Sequence, residues 1–307
     1  MPVAVWCFDM PPAAPAIEIR DLSKSYGKFR ALHGIDLEVE RGEVFGFLGP
    51  NGAGKTTAIR CLLDLIRPDS GHLRVLGIDP QRDPVAVRER TGYLPGELSL
   101  DDNLTARQAL KLFDRLRGGR SDWDYVEGIA GRLQLSLDRQ IKNFSKGNKQ
   151  KVGVIQAFMH LPELLLLDEP TSGLDPLMQQ VVTQLVIEAR DRGATVFFSS
   201  HVLSEVEGVA ARVAIVRAGK VVETSHTEAL IRKSFLHATF TLAAPLGSDE
   251  LATIPGLSVL HHHDHSYQVR VAGAIAPLLE MITPKGVLAL ETQRPSLEEI
   301  FLNYYDS

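Results

Sequence analysis

Cysteine, long apolar runs and an excess of either charge are all scarce in this chain of 307 residues. The only cysteines are Cys7 and Cys61, far apart and in no CxxC pair. That leaves no disulfide framework and fits a reducing cytosol. Apolar stretches such as residues 164–167 and 194–198 fall well short of the roughly 18 residues that a bilayer span requires, so membrane contact is expected through partner chains only. Lys and Arg number 33 against 38 Asp and Glu, a net charge of -5, and no global basic field invites nucleic acid. The opening MPVAVWCFDMPPAAPA has the small-residue ending of a secretory leader. It lacks a basic start, however, and Asp9 interrupts its apolar stretch, so export is not expected.

What is present points to a folded protein. Apolar residues at 44% and charged residues at 23% match ordinary globular chains, and the length suits a main domain with a smaller second one. After a Pro/Ala-rich tail at 1–15, residues 17–20, 35–39 and 43–48 are rich in β-branched or aromatic side chains and read as strands, whereas 56–66 has helical spacing. Residues 104–133 read as helical, broken at Gly118, Gly119 and Ser121. Strands then return at 164–167, 195–199 and 212–217, alternating with helices at 176–191 and 202–210. This rhythm predicts a largely parallel sheet covered by helices.

The last eighty residues follow another order: strand at 238–242, helix at 248–254, strands at 257–261 and 267–271, helix at 275–282, strand at 287–292. That is the split βαββαβ pattern, and it predicts a small ferredoxin-like α+β domain at 226–307. A closing helix is expected after it, with Ser296 as N-cap and Glu299 completing a capping box. No tandem repeat or low-complexity segment is apparent.

Chemistry first appears at Gly49-Pro50-Asn51-Gly52-Ala53-Gly54-Lys55-Thr56, which satisfies GxxxxGK[ST] between an expected strand and an expected helix. Glycines let backbone N–H groups turn in around phosphates, and the helix N-terminus adds its positive end. Lys55 is expected to reach the β- and γ-phosphates of ATP, Thr56 to ligate Mg2+, and Thr57 to add a phosphate contact. The run Leu164-Leu165-Leu166-Leu167-Asp168-Glu169 is a buried-type strand ending in two carboxylates. Asp168 is placed to hold the magnesium, and Glu169 to orient or deprotonate the attacking water.

Other loops carry a family resemblance. Asn143-Phe144-Ser145-Lys146-Gly147-Asn148-Lys149-Gln150 resembles the ABC signature LSGGQ; Ser145 can cap the following helix, and Gly147 leaves room for a phosphate at its positive end. Ser172-Gly173-Leu174-Asp175 looks like the D-loop, Ser200-His201 like the switch histidine, and Tyr26 in Ser25-Tyr26-Gly27 like the aromatic that stacks on adenine. The resemblance spans about residues 16–225. It implies an α/β P-loop NTPase fold of the ABC ATPase type, with an antiparallel β part and a helical subdomain at about 97–160.

By the same resemblance, Lys55, Glu169 and His201 carry ATP hydrolysis, while Tyr26 and the loop from Gly49 to Thr57 hold the nucleotide. Two such domains pair head to tail, so that Ser145 and Gly147 of one meet the ATP of the other. With one P-loop and one signature, the chain must pair with a second ATPase subunit, expected to be its own copy, and with transmembrane permease subunits at the cytoplasmic face of the membrane. The signature variants and the appendage with Leu297-Glu298-Glu299-Ile300-Phe301 resemble the ATPases of bacterial drug and lipid exporters. Two departures stand out. Gly96 occupies the place of the usual glutamine after Tyr93-Leu94-Pro95, with Glu97 beside it, and Lys146 replaces a glycine of the signature. The rival classes are a soluble, non-transport ABC ATPase and a clamp that binds ATP but scarcely hydrolyses it. A metal-binding role for His261-His262-His263-Asp264-His265 is weighed against a polar hairpin turn, which is the expectation.

Overall fold

A computed structural model describes residues 14–233 and 235–293; Ser296, Glu299 and the 297–301 motif lie outside the described residues, as does Cys7. The chain divides into two compact units between Thr224 and Ser225.

The first unit begins with strands β1 (Ile17–Tyr26), β2 (Phe29–Val39) and β3 (Val44–Leu48), then helix α1 (Lys55–Leu62), β4 (Ser70–Val75), α2 (Pro84–Glu89) and β5 (Thr91–Leu94). Only helices follow before the next strand: α3 (Ala106–Leu116), α4 (Trp123–Arg132) and α5 (Lys146–Phe158), with a short 3-10 turn at Ile141–Asn143. The unit continues through β6 (Leu164–Asp168), α6 (Pro176–Asp191), β7 (Thr195–Ser200), α7 (Leu203–Glu207), β8 (Arg212–Arg217) and β9 (Lys220–His226), whose last two residues lie past the boundary.

These strands form two sheets. β2-β1-β4 is antiparallel, and β5-β6-β7-β3-β8-β9 is a six-stranded sheet whose β5/β6, β6/β7, β7/β3 and β3/β8 pairs are parallel. Every residue of β3, β6 and β7 is buried, as expected of parallel strands covered on both faces, which is why they read as unbroken apolar runs. In the core Phe45 stacks on Phe197, and Phe47 packs against the same ring at a tilt. A shared apolar cluster joins β1, β2 and β4 to α1 and to the inner face of the parallel sheet.

The order β6-β7-β3 has one consequence for function. Parallel strands in adjacent positions bring their carboxyl ends to one edge, and Asp168 pairs with Ser199 while Leu48 pairs with Ser200. The loops after β3, β6 and β7 therefore meet, in the place where open α/β sheets gather ligands.

Local chemistry sets the helix ends. Thr105 caps α3 in a capping box with Gln108, and Asp122 caps α4. The break between them is held by Asp114, whose carboxylate accepts the Ser121 N–H (3.0 Å) and the Trp123 Nε1–H (3.2 Å). The helix expected over 56–66 stops at Leu62, because Asp64 turns the backbone to φ 49°. Likewise the helix expected over 202–210 is only Leu203–Glu207. β1 runs six residues beyond the expected stretch, and β4 and β9 were not anticipated; their charged and half-exposed residues carry no apolar run.

Buried beside Arg117, the His160 imidazole is pushed down to about 4, by desolvation first and by the guanidinium charge second. The unfolded chain then binds a proton near pH 6.5 that the folded chain refuses until about pH 4. This contribution to stability is fully present above pH 6.5 and is lost as the pH falls toward 4. Denaturant titrations should show the unaltered protein losing on the order of 2 kcal/mol more than His160→Asn between pH 7.5 and pH 4.5.

In the second unit α8 (Thr227–Lys233) precedes β10 (Phe235–Leu242), α9 (Ser248–Ala252), β11 (Leu257–His263), β12 (Ser266–Ala272), α10 (Ala276–Ile282) and β13 (Val287–Gln293). Its sheet has the order β11-β12-β10-β13 with all pairs antiparallel. The first strand, β10, thus sits inside, flanked by the third and fourth, as the split βαββαβ pattern requires. Phe240 and Tyr267 stack in its core, and the Tyr267 hydroxyl donates to the Leu246 carbonyl (3.0 Å) while accepting the Leu246 N–H (2.8 Å). His261, His262 and His263 belong to β11 itself, and the turn is made by Asp264 and His265. His262 stacks on Tyr267 at 4.4 Å, and His265 Nδ1 bonds the Leu242 carbonyl, so these two rings have packing and hairpin partners of their own.

Candidate functional site

The phosphate loop leaves the end of β3 and closes into α1 at Gly54, whose φ of 105° no side-chain-bearing residue adopts readily; a Cβ there would also stand 2.8 Å from the Ala31 carbonyl. No side chain caps α1 and no acidic residue lies in its first turn. The leading amides of Lys55, Thr56 and Thr57 have no partner one helical turn earlier, so the helix presents donors suited to an anion. Gly49 serves the loop differently. Its N–H donates to the Ser200 carbonyl (3.1 Å), and a Cβ at this position would meet the Val216 carbonyl at 2.2 Å. Gly49 is thus a close-packing residue that anchors the loop to β7 and β8.

Lys55 is buried, yet its ammonium is held at the mouth of the loop. Nζ donates to the carbonyls of Gly49 (2.6 Å) and Pro50 (3.3 Å) and pairs with Glu169 Oε1 at 3.1 Å. The next residue, Thr56, donates its hydroxyl to Asp168 Oδ2 at 2.7 Å, while Ser199 donates to Asp168 Oδ1 at 2.6 Å. Both oxygens of this fully buried carboxylate are therefore oriented by hydroxyls, one from the first turn of α1 and one from the end of the neighbouring strand β7.

Glu169 stands in the left-handed region with φ 51°, a strained conformation for a side-chain-bearing residue. Bonds from its N–H to the Ser199 carbonyl and hydroxyl (both 3.2 Å) hold it there, and the Gln150 amide donates to the carbonyls of Glu169 and Pro170 (both 3.2 Å). The twist aims its carboxylate at the loop. Oε1 meets Lys55 and Oε2 meets His201 Nδ1 at 2.7 Å. A carboxylate only accepts, so the contact places the proton on His201 Nδ1.

A cleft of about 230 Å³ lies against this group, lined by Tyr26, Phe29, Ala31, Glu169 and the residues from Pro50 to Thr57. Tyr26 and Phe29 sit at the tip of the β1–β2 hairpin, 46% and 63% exposed, and offer aromatic faces at its rim. Ser145 and Gly147 do not line this cleft. Ser145 caps α5 by accepting the Asn148 N–H (3.3 Å), and it is exposed to solvent. Gly147 packs on the loop after β6: a Cβ there would stand 2.6 Å from the Gly173 carbonyl. Gly147→Ala should therefore displace backbone and destabilise the chain by about 1–3 kcal/mol, read in a denaturant titration, even in the absence of nucleotide.

At Gly96 an ideal Cβ lies 3.1 Å from Asp168 Oδ2, so this position faces the acidic strand end although its residue carries nothing to offer there. The neighbouring Glu97 is exposed. Sequence reasoning missed Ser199, Gln150 and Phe29. Ser199 meets Asp168 only when β6 and β7 pair, and Gln150, though it ends the signature-like motif, reaches the Glu169 and Pro170 carbonyls only when α5 packs beside the loop after β6. Phe29 could have been found as a second aromatic three residues from Tyr26 across a Gly-containing turn.

The family described as ABC transporter matches residues 32–172. The chain is 34% identical over 300 residues to the bacitracin transport ATP-binding protein of Bacillus licheniformis, covering 93% of this chain and 96% of that one. It is also 34% identical over 306 residues to a daunorubicin resistance ATP-binding protein of Streptomyces coeruleorubidus, covering 95% and 96%. Among solved structures, an ATP-binding subunit of an ABC transporter superposes with a TM-score of 0.65 at 30% identity, over 71% of this chain and 92% of that one. A dimeric ATP-binding cassette bound to ADP and Pi shares the fold, with a TM-score of 0.63 at 21% identity over 69% and 98%. With the loop from Gly49 to Thr57, the acidic end of β6 and His201 assembled at one sheet edge, the chain belongs to the ATP-binding subunits of ABC transporters and is an ATPase.

Proposed function

We propose that this chain powers an exporter of antibiotic-like or lipid-like compounds, by closing on a second copy of itself beneath a membrane-spanning permease. The observation that carries this reading is the correspondence along 93–95% of the chain to proteins named for bacitracin transport and daunorubicin resistance. It extends through the second unit, well beyond the ATPase cassette. No helix among the described residues is long and apolar enough to cross a membrane, so the permease supplies the path and tethers this chain at its cytoplasmic face.

Within the site, the loop from Pro50 to Thr57 holds the phosphates of ATP, with Gly49 anchoring it, and Tyr26 and Phe29 flank the base. Lys55 turns its ammonium from the loop carbonyls to the β- and γ-phosphates. Glu169 orients or deprotonates the attacking water, and His201 holds that carboxylate in place. Ser145 and Gly147 act on the nucleotide of the partner subunit. That neither of them lines the cleft of its own chain supports that reading.

The residues present fit a magnesium ion: Thr56 and Asp168 offer adjacent hard oxygens, and one or two protein ligands suffice when phosphates and water complete the shell. When bound, the ion would neutralise charge on the β- and γ-phosphates.

Co-expression tests the proposal. Tagged chain should sediment with membranes only when a multi-span permease is produced with it, and the pair should lower accumulation of a cationic amphiphile in cells. A stable complex confined to the soluble fraction would favour a non-transport ATPase instead.

A further inference from the structure

Two hydrogen bonds next to the Glu169–His201 contact do not belong to nucleotide binding. Thr171 Oγ1 donates to Glu205 Oε1 at 2.6 Å, and Ser200 Oγ donates to Glu205 Oε2 in a very short contact. Thr171 lies two residues after Glu169 in the loop that leads to α6, and Ser200 immediately precedes His201 at the end of β7. Both hydroxyl-bearing residues are buried, at 2% and 0% exposed. The carboxylate comes from α7, a five-residue helix that follows His201. Ser200 Oγ also accepts the Val202 N–H (2.9 Å), and the Glu205 carboxylate lies nearer to it than its other acceptor, the Val202 carbonyl at 3.3 Å.

These contacts close a ring. It runs from Glu169 through Pro170 to Thr171, across to Glu205, back through Ser200 to His201, and returns to Glu169 by the 2.7 Å contact. Carboxylate oxygens accepting from hydroxyls form charge-assisted bonds, about twice as strong as neutral ones, and they are least screened where water is excluded. Without them, the loop after Glu169 and the loop carrying His201 would be joined in this region by the Glu169–His201 contact itself and by the bonds from the Glu169 N–H to the Ser199 carbonyl and hydroxyl.

We propose that Glu205 is a positioning residue for ATP hydrolysis, which brackets Thr171 and Ser200 so that His201 meets the Glu169 carboxylate. This rests on the hydrolytic reading of Glu169 and His201 given above. Glu205 touches neither the cleft nor Lys55, so it acts on the rate through His201 and leaves ATP binding to the loop.

The full-length chain serves as the test, with phosphate release for rate, a fluorescent ATP analogue for affinity and the 15N resonance of His201 Nδ1 for the contact. Glu205→Ala is expected to lower kcat about tenfold, the equivalent of one charge-assisted hydrogen bond, with analogue affinity changed less than twofold. Glu205→Gln keeps an acceptor oxygen and should recover most of the rate. Adding Glu205→Ala to His201→Ala should cost nothing further. Thr171→Val opens the ring from the other side, and should reproduce the loss should Glu205→Ala fold poorly. Multiplying losses in the double variant, affinity falling together with rate, or Gln behaving like Ala would each overturn the proposal. If the unaltered chain hydrolyses no ATP, the hydrolytic reading fails instead; an Nδ1 resonance unmoved by Glu205→Ala then still disproves the bracket.

Discussion

Glu169→Gln should arrest hydrolysis while ATP stays bound. The carboxylate lies between Lys55 Nζ at 3.1 Å and His201 Nδ1 at 2.7 Å, and its charge is what both of those donors meet. An amide of the same shape can still fill the space but cannot take a proton from water, and removing a general base typically costs about 10²- to 10⁴-fold in rate. Phosphate release should fall by about that factor. The nucleotide loop is untouched by the change, so calorimetry should find ATP binding within a few-fold of the unaltered chain. If two copies close over two ATP molecules and reopen on hydrolysis, the variant should accumulate as a dimer on a sizing column with ATP and magnesium. Phosphate release at the normal rate would remove Glu169 from the chemistry, and its normal release in the unaltered chain would also dispose of the clamp alternative.

Lys55→Ala should instead abolish tight binding. Lys55 places a buried ammonium at the mouth of the loop, held by the carbonyls of Gly49 and Pro50. It is the one basic side chain among the residues that line the cleft. A charge-assisted bond contributes roughly 1.5–3 kcal/mol, and the ammonium can reach more than one phosphate oxygen. Calorimetry should show the Kd for ATP rising about 100-fold or more. The same substitution leaves Glu169 with His201 as its remaining side-chain partner, so some loss of thermal stability in the nucleotide-free chain is expected alongside. An unchanged Kd would mean that the loop's amides alone hold the phosphates.

Much of this site could be read from the chain because its parts are local. A strand, a glycine loop and a helix follow one another within twenty residues at 44–62, and backbone geometry there depends on the residues of that stretch. The same holds for Ser145, which caps the helix that it begins, and for the acidic end of β6. The strands that escaped notice, β4 and β9, are those whose residues alternate or carry charge, because a strand at or near a sheet edge needs no apolar run. Gly49 and Gly147 were read as making room for phosphate. The structure shows that they also make room for backbone, against Val216 and Gly173, contacts between segments far apart in sequence.

By itself, then, the sequence determined most of the buried strands, that a glycine loop opens α1, and which kinds of side chain stand ready beside it. Tertiary structure decided who meets whom. Placing β7 between β3 and β6 sets Ser199 and Ser200 against Asp168 and Gly49, turns Glu169 toward both Lys55 and His201, and lets Glu205 bridge two loops. Strand order is a long-range choice, made by the burial of whole apolar faces, and hydrogen bonds of 2.6–3.2 Å across it follow from that packing rather than from any residue's neighbours in sequence.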